Sequence, residues 1–373
     1  MLWRLTAVCL LATSAFGVSP VREEFGRTRD GTPVAAFVLT NDHGLTVRLI
    51  EFGASVQSLV VPDAAGAEAD VVLGFDDLAA YETGGPPFGR TIGRYANRIA
   101  GASFELDGET FSLEANAGPH HIHGGRDAAF ANRVWEGRPV NVEGASAVEF
   151  ELTSPNGDGG YPGRLKTTVR YVVPDDENVL RIEYAANADR PTVLNLTNHS
   201  YFNLGGHNGL PVTDHRFEIA ADSYTLTDES RIPTGEVAAV EGTAFDLRRP
   251  TGLSEALAVL GASEQPIFDV NYAFGPQPDG STTPRRVARV VEPDGGRTMT
   301  VRTTEPGLQF YTGDFGRPIA GKGGAEYVGR ASFCLETQHY PDSPNRPEFP
   351  STVLRPGETY RSVTEYAFDV VTK

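Results

Sequence analysis

Phe104-Glu105-Leu106-Asp107-Gly108-Glu109-Thr110-Phe111-Ser112-Leu113 is the stretch on which the reading of the fold turns. Phe104 and Leu106 precede Asp107-Gly108, Phe111 and Leu113 follow it, and each pair is separated by a polar residue, so the segment reads as two short strands around a tight turn. Working outward, alternating or β-branched runs recur at Val34–Leu39, Leu45–Ile50, Val56–Val61, Ala147–Leu152, Thr167–Val173, Leu180–Tyr184, Thr192–Leu196, Arg286–Val291, Met299–Thr303, Gln309–Thr312 and Ser362–Val371. Each is bounded by Gly, Pro, Asp or Asn, residues that end strands and build turns. Only Leu253–Leu260 reads as a helix. The expected fold class is therefore all-β, a large antiparallel β-sandwich.

Composition agrees and narrows the function. The chain has 373 residues, 40% of them hydrophobic, enough to bury a large core. Its 41 Gly and 26 Pro are spread between runs as punctuation. The formal net charge of −17 repels phosphate backbones and anionic lipid, which argues against nucleic acid as a partner. Residues 1–17 read as a signal peptide: a charge at Arg4, an apolar run from Leu5 to Ala12 and small residues around Ala15-Phe16-Gly17. That run is too short to span a membrane, which takes about 20 apolar residues. Export to a periplasmic or secreted destination follows as an expectation. Residues 18–24 are expected to be a lead-in, and 25–373 one domain without internal repeats. Cleavage would remove Cys9 and leave Cys334 as the one cysteine, with no internal disulfide available.

Polar residues gather in a few places. Three of the eight histidines lie in Gly118-Pro-His-His-Ile-His-Gly-Gly125. On an extended segment His121 and His123 would share a face and His120 would point away, which suits sugar contact, a metal or a plain solvated loop. In Asn195-Leu-Thr-Asn-His-Ser-Tyr-Phe-Asn-Leu204, alternation places His199 and Tyr201 on one face with Asn195 and Thr197, a proton carrier beside an aromatic ring. In Ser332-Phe-Cys-Leu-Glu-Thr-Gln338, Glu336 shares a face with Cys334, where partial desolvation would raise its pKa and make it a better base. Gly93-Arg-Tyr-Ala-Asn-Arg-Ile99 offers Arg98, a planar five-donor fork. Ile267-Phe-Asp-Val-Asn271 offers Asp269, which can accept from two hydroxyls. No phosphate loop, nucleophile elbow or helical His-Glu zinc motif occurs, so the remaining chemistry is acid–base.

These segments, with Thr303-Thr-Glu-Pro-Gly-Leu-Gln-Phe-Tyr-Thr-Gly313, follow the order and spacing of the aldose 1-epimerases (galactose mutarotases), and the chain resembles that family from about Phe25 almost to Lys373. The resemblance implies the galactose mutarotase-like supersandwich and a sugar cleft across one sheet. It also implies interconversion of the α and β anomers of a free aldose such as glucose or galactose. His199 matches the family's general acid and Glu336 its general base. Asn97, Arg98, His123, Tyr201, Asp269 and Gln309 match positions that contact the sugar, and no metal or organic cofactor is implied. His120, His121 and Arg126–Ala129 depart from the family pattern and bear on sugar preference. Three other readings remain at this point. A glycoside hydrolase would usually need two flanking carboxyl groups, and a binding protein on the same scaffold would need no proton carriers. A phosphosugar enzyme would want more cation than Arg98 alone provides.

Overall fold

In the computed structural model, residues 19–83, 85–260, 267–277, 281–313 and 315–371 are described. The expected signal peptide lies outside them. Strands dominate, and the principal sheets are antiparallel throughout. The largest sheet has nine strands. It runs in the order Glu136–Pro139, Ala145–Ser154, Leu165–Pro174, Val179–Ala188, Tyr360–Val370, Arg297–Thr303, Arg285–Val291, Arg216–Ile219, Thr251–Gly252. Two five-stranded sheets accompany it. One is built from the first five strands, Val21–Arg27 to Glu68–Asp70. The other runs Pro233–Ala239, Ser223–Thr227, Asp269–Ala273, Gly307–Tyr311, Cys334–Gln338.

A single buried cluster joins all three. Phe37, Val47 and Leu59 come from the first sheet, Phe150, Val169 and Ile182 from the nine-stranded sheet, and Val270, Leu308, Phe310 and Leu335 from the other. This is a sandwich in which each sheet buries its alternate residues. The opening hairpin forms as read, Ser103–Leu106 pairing with Glu109–Ser112 around Asp107-Gly108. The helix is Leu253–Leu260. The first strand, Val21–Arg27, already pairs with Pro33–Thr40, so most of the stretch expected as a lead-in belongs to the sheet.

The sheet that matters for chemistry is the last. Its register sets Asn271 opposite Gln309 and Gln309 opposite Glu336, while Asp269 faces Tyr311 and Tyr311 faces Cys334. Residues i and i+2 share a face, so polar groups from three neighbouring strands form one floor, and Val270, Leu308, Phe310 and Leu335 point the other way into the core.

Candidate active site

Above that floor lies a cavity of about 210 Å³, lined by Pro87, Asn97, Arg98, Ile122, His123, His199, Tyr201, Arg231, Asp269, Gln309, Tyr311 and Glu336. It is smaller than the roughly 300–1,000 Å³ of clefts for drug-sized ligands, and suits one sugar ring. The eight residues that the family resemblance matched to the site are all on its wall. Pro87, Ile122, Arg231 and Tyr311 were not anticipated.

His199 ends the Thr197–His199 strand, which pairs with Arg90–Ile92 so that Arg90 lies opposite His199. Beyond it, Phe202 bridges to Phe333 at the head of the Cys334–Gln338 strand. This brings the His199 Nε2 within 3.5 Å of the Glu336 Oε2, with both side chains almost wholly buried. Tyr201 stacks on His199 at 4.8 Å and 10°. Tyr201 is in turn held edge-on by Phe88 at 5.0 Å, so the imidazole plane is set by packing. Asn195 and Thr197, expected on the same face, do not line the cavity. The extended pattern ends at His199, and the Asn195 amide instead ties Ala96 and His339 together through their backbones.

Burial pushes the His199 imidazole down to about 3. Burial, then the Asp269 charge, pushes the Glu336 carboxyl well above its usual range, and Arg98 opposes that shift. Each group alone therefore prefers its uncharged form. Direct contact and Arg98 favour the alternative, in which the proton sits on the imidazole and the carboxylate is ionised.

His123 arrives by a different route. Residues 123, 124 and 125 all have positive φ, at 53°, 81° and 92°. Gly124 makes this possible: a Cβ there would lie 1.9 Å from the Gly93 carbonyl oxygen. The tract thus presses against the strand-like segment that carries Asn97 and Arg98, where Ile122 pairs with Arg98. The Asn97 N–H donates to the His123 Nδ1 at 3.1 Å, which leaves Nε2 as the protonated nitrogen of a neutral ring. Burial and nearby His199 push its pKa well down in the same sense. The expectation that His121 and His123 share a face fails, because the backbone leaves the extended region at His123. His121 turns into the protein, between the Glu114 carbonyl at 2.7 Å and the Tyr161 hydroxyl at 2.8 Å.

Asp269 is held on both sides. The Gln309 Nε2 donates to its Oδ1 at 2.6 Å, and Arg231 forms an ion pair with its Oδ2. The Gln309 Oε1 and Glu336 Oε2 are buried without a hydrogen-bond partner among the described residues, two acceptors left for a ligand's hydroxyls. The Arg98 guanidinium makes no hydrogen bond there either, and burial lowers its pKa. Arg94, in the same motif, is structural. Its guanidinium donates to the Ser154 hydroxyl and to the carbonyls of Ser154, Pro155, Pro162 and Gly163, fixing the 155–163 loop.

Donor atoms of His199, Cys334 and Glu336 lie within 4.8 Å of one another, a nitrogen, sulfur and oxygen set able to hold a soft divalent cation. Such an ion would occupy both proton carriers. Burial and the Glu336 carboxyl hold the Cys334 thiol well above its usual pKa, against the thiolate a metal requires.

A family model described as aldose 1-epimerase matches residues 35–367. Galactose mutarotase of Bos taurus is 43% identical over 355 residues, covering 95% of this chain and 99% of that one. Aldose 1-epimerase of Escherichia coli K12 is 37% identical over 342 residues, covering 91% and 96%. Among solved structures, a GalM/aldose epimerase homologue from C. elegans superposes with a TM-score of 0.82 at 32% identity, covering 91% of this chain and 100% of that one. A galactose 1-epimerase from Lactobacillus acidophilus gives 0.80 at 25% identity, covering 95% and 99%.

Proposed function

The chain belongs to the aldose 1-epimerase family and interconverts the anomers of free aldoses, and we propose that His199 and Glu336 are the groups that move the protons. The observation that carries this reading is their 3.5 Å approach in one sugar-sized cavity.

A cyclic aldose is a hemiacetal. Ring opening removes the proton of the C1 hydroxyl and adds one to the ring oxygen, so a base and an acid acting together keep the charge constant. Glu336 takes the C1 proton while the protonated His199 delivers one to the ring oxygen. The open chain is then held by neutral His199 and protonated Glu336, the arrangement that burial favours. Rotation about C1–C2 presents the other face of the aldehyde. Closure reverses both transfers, with Glu336 as donor and His199 as acceptor. Because both arrangements occur in every turnover, the pair works best when they differ little in free energy. Burial pulls towards one, and Arg98 with the direct contact towards the other. His123, as a neutral Nε2 donor, with Asn97, Arg98, Tyr201, Asp269 and Gln309, grips the remaining hydroxyls and the ring.

Glycoside hydrolysis fits less well, since Asp269, the second carboxylate of the cavity, is committed to Arg231 and Gln309. Export of the mature chain remains part of the proposal and rests on the leader-like residues 1–17. Fractionation of the expressing cell, with the mass of the mature protein, checks it.

Polarimetry of freshly dissolved α-glucose and α-galactose tests the assignment. His199→Ala and Glu336→Ala should each lose roughly 10²–10⁴-fold in rate while remaining folded by circular dichroism. Near-normal rates in either variant would sink it.

A further inference from the structure

Arg231 does not belong to any motif that marks the site, yet it lines the cavity. The turn that carries it is built for the purpose. The Asp228 carboxylate accepts the N–H groups of Ser230 and Ile232 at 2.8 and 3.0 Å. The Asp228 carbonyl accepts the N–H of Arg231 at 2.9 Å, and Arg231 itself sits at φ +63°. A non-glycine residue in that conformation costs free energy, which the Asp228 hydrogen bonds offset. The outcome is a side chain thrown across to Asp269, 46% exposed at the cavity edge.

The charges lining the cavity do not balance. His199 and Glu336 with one proton between them carry no net charge, and His123 is neutral. Arg98 and Arg231 bring two guanidiniums against the single carboxylate of Asp269. One positive charge is left over, in a chain whose formal net charge is −17. Arg231 engages Asp269 through one terminal nitrogen, and the rest of its fork has no partner among the described residues. Arg98 makes no side-chain hydrogen bond among the described residues; burial opposes its charge, Asp269 and then Glu336 favour it, and Arg231 opposes it. Hydroxyl groups accept hydrogen bonds but leave that surplus charge in place. A carboxylate relieves it, and guanidinium matches carboxylate in two-point geometry.

We propose, on the mutarotase reading above, that the cavity takes aldoses bearing a carboxylate, the hexuronates, with Arg231 as the residue that selects them. The carboxyl carbon of a hexuronate is C6, outside the hemiacetal, so the proton transfers at C1 and the ring oxygen are unchanged and no further bond is made or broken. A sugar phosphate shares the negative charge but is bulkier than this small cavity favours.

The test is polarimetric, at pH 7 and low salt, with uncatalysed rates subtracted: freshly dissolved α-galacturonate, α-galactose and α-galactose 6-phosphate, with wild type, Arg231→Leu and Arg231→Lys. Wild type should accelerate galacturonate with kcat/KM at least equal to that for galactose. Arg231→Leu should lower the galacturonate-to-galactose ratio at least tenfold, mainly through KM, and Arg231→Lys should restore most of it. A ratio indifferent to Arg231→Leu, absence of galacturonate turnover, or preference for the phosphate would overturn the proposal while leaving mutarotation of galactose intact. If wild type accelerates none of the three sugars, the mutarotase assignment itself has failed.

Discussion

Replacing Glu336 by glutamine keeps the shape of the side chain and removes its proton chemistry, so one variant reads both catalysis and the resting state of the proton pair. In the unfolded chain the carboxyl titrates near its ordinary value of 4.5, whereas in the fold burial raises it well above that. A raised folded pKa means that the native state binds the proton more tightly. Its contribution to stability is complete below the unfolded pKa and is lost as pH rises through the folded one. Each pH unit in that window weakens the wild type by about 1.36 kcal/mol. Between pH 4.5 and 7 the ceiling is therefore about 3 kcal/mol, and the substituted amide does not titrate. Exchanging an oxygen for an amide group also has a pH-independent effect, which cancels when the same two proteins are compared across pH.

The stability of Glu336→Gln relative to wild type should accordingly rise from pH 4.5 to 7 by as much as about 3 kcal/mol. With an unfolding entropy of about 2.1 cal/mol/K per residue, that is a relative gain in Tm of about 4 °C for 373 residues. Scanning calorimetry at half-unit pH steps measures it, and polarimetry on the same samples should show a loss of about 10²–10⁴ in rate. A flat difference across pH would mean that the native pair holds no shared proton, with Glu336 ionised beside a neutral His199, and would refute the reasoning about burial.

Arg94→Leu removes a donor from four backbone carbonyls of the 154–163 region, of which Pro155 keeps another, the Asp158 N–H at 3.2 Å. It should lower stability by several kcal/mol, at about 1–3 kcal/mol for each acceptor left unpaired, read as a shift in urea midpoint. Gly124→Ala drives a Cβ into the Gly93 carbonyl. Because His123 rides on that contact, kcat/KM for galactose should fall at least tenfold together with about 1–3 kcal/mol of stability, and an unchanged KM and kcat would contradict the placement of His123. Burial pushes His215 down to about 3, and its Nε2 accepts the Leu204 N–H at 3.1 Å. A lowered folded pKa means that stability is lost as pH falls below the unfolded value of about 6.5, by about 2 kcal/mol between pH 7 and 5. His215→Leu should remove that share of the acid sensitivity in denaturant titrations at the two pH values.

The strands were legible because period-two alternation is a local signal, and the floor of the site was legible for the same reason: Gln309 and Glu336 interrupt the alternation with polar residues whose neighbours Phe310 and Leu335 are plainly core. His121 was misread because an extended segment was assumed through a tract whose backbone turns left-handed at His123. Arg94 and Arg98 belong to one motif. Which of them faces a ligand depends on the 155–163 loop, far along the chain from both. Arg231 was invisible for a related reason. The Asp228 turn around it is a local feature, but the cavity edge it overhangs is made by strands that follow much later in the chain.

The row Asn271, Gln309, Glu336 couples pairing to activity in a way that bears on how preparations of this enzyme behave. A slip of one position between the last two strands would invert Cys334–Gln338, sending a carboxyl and an amide inward and Leu335 to the surface, each unpaired polar group costing roughly 2–7 kcal/mol. No well-packed but mis-threaded isomer can compete. Turnover per milligram then becomes a direct gauge of the correctly assembled fraction, and any shortfall in a batch reports unfolded or aggregated chains.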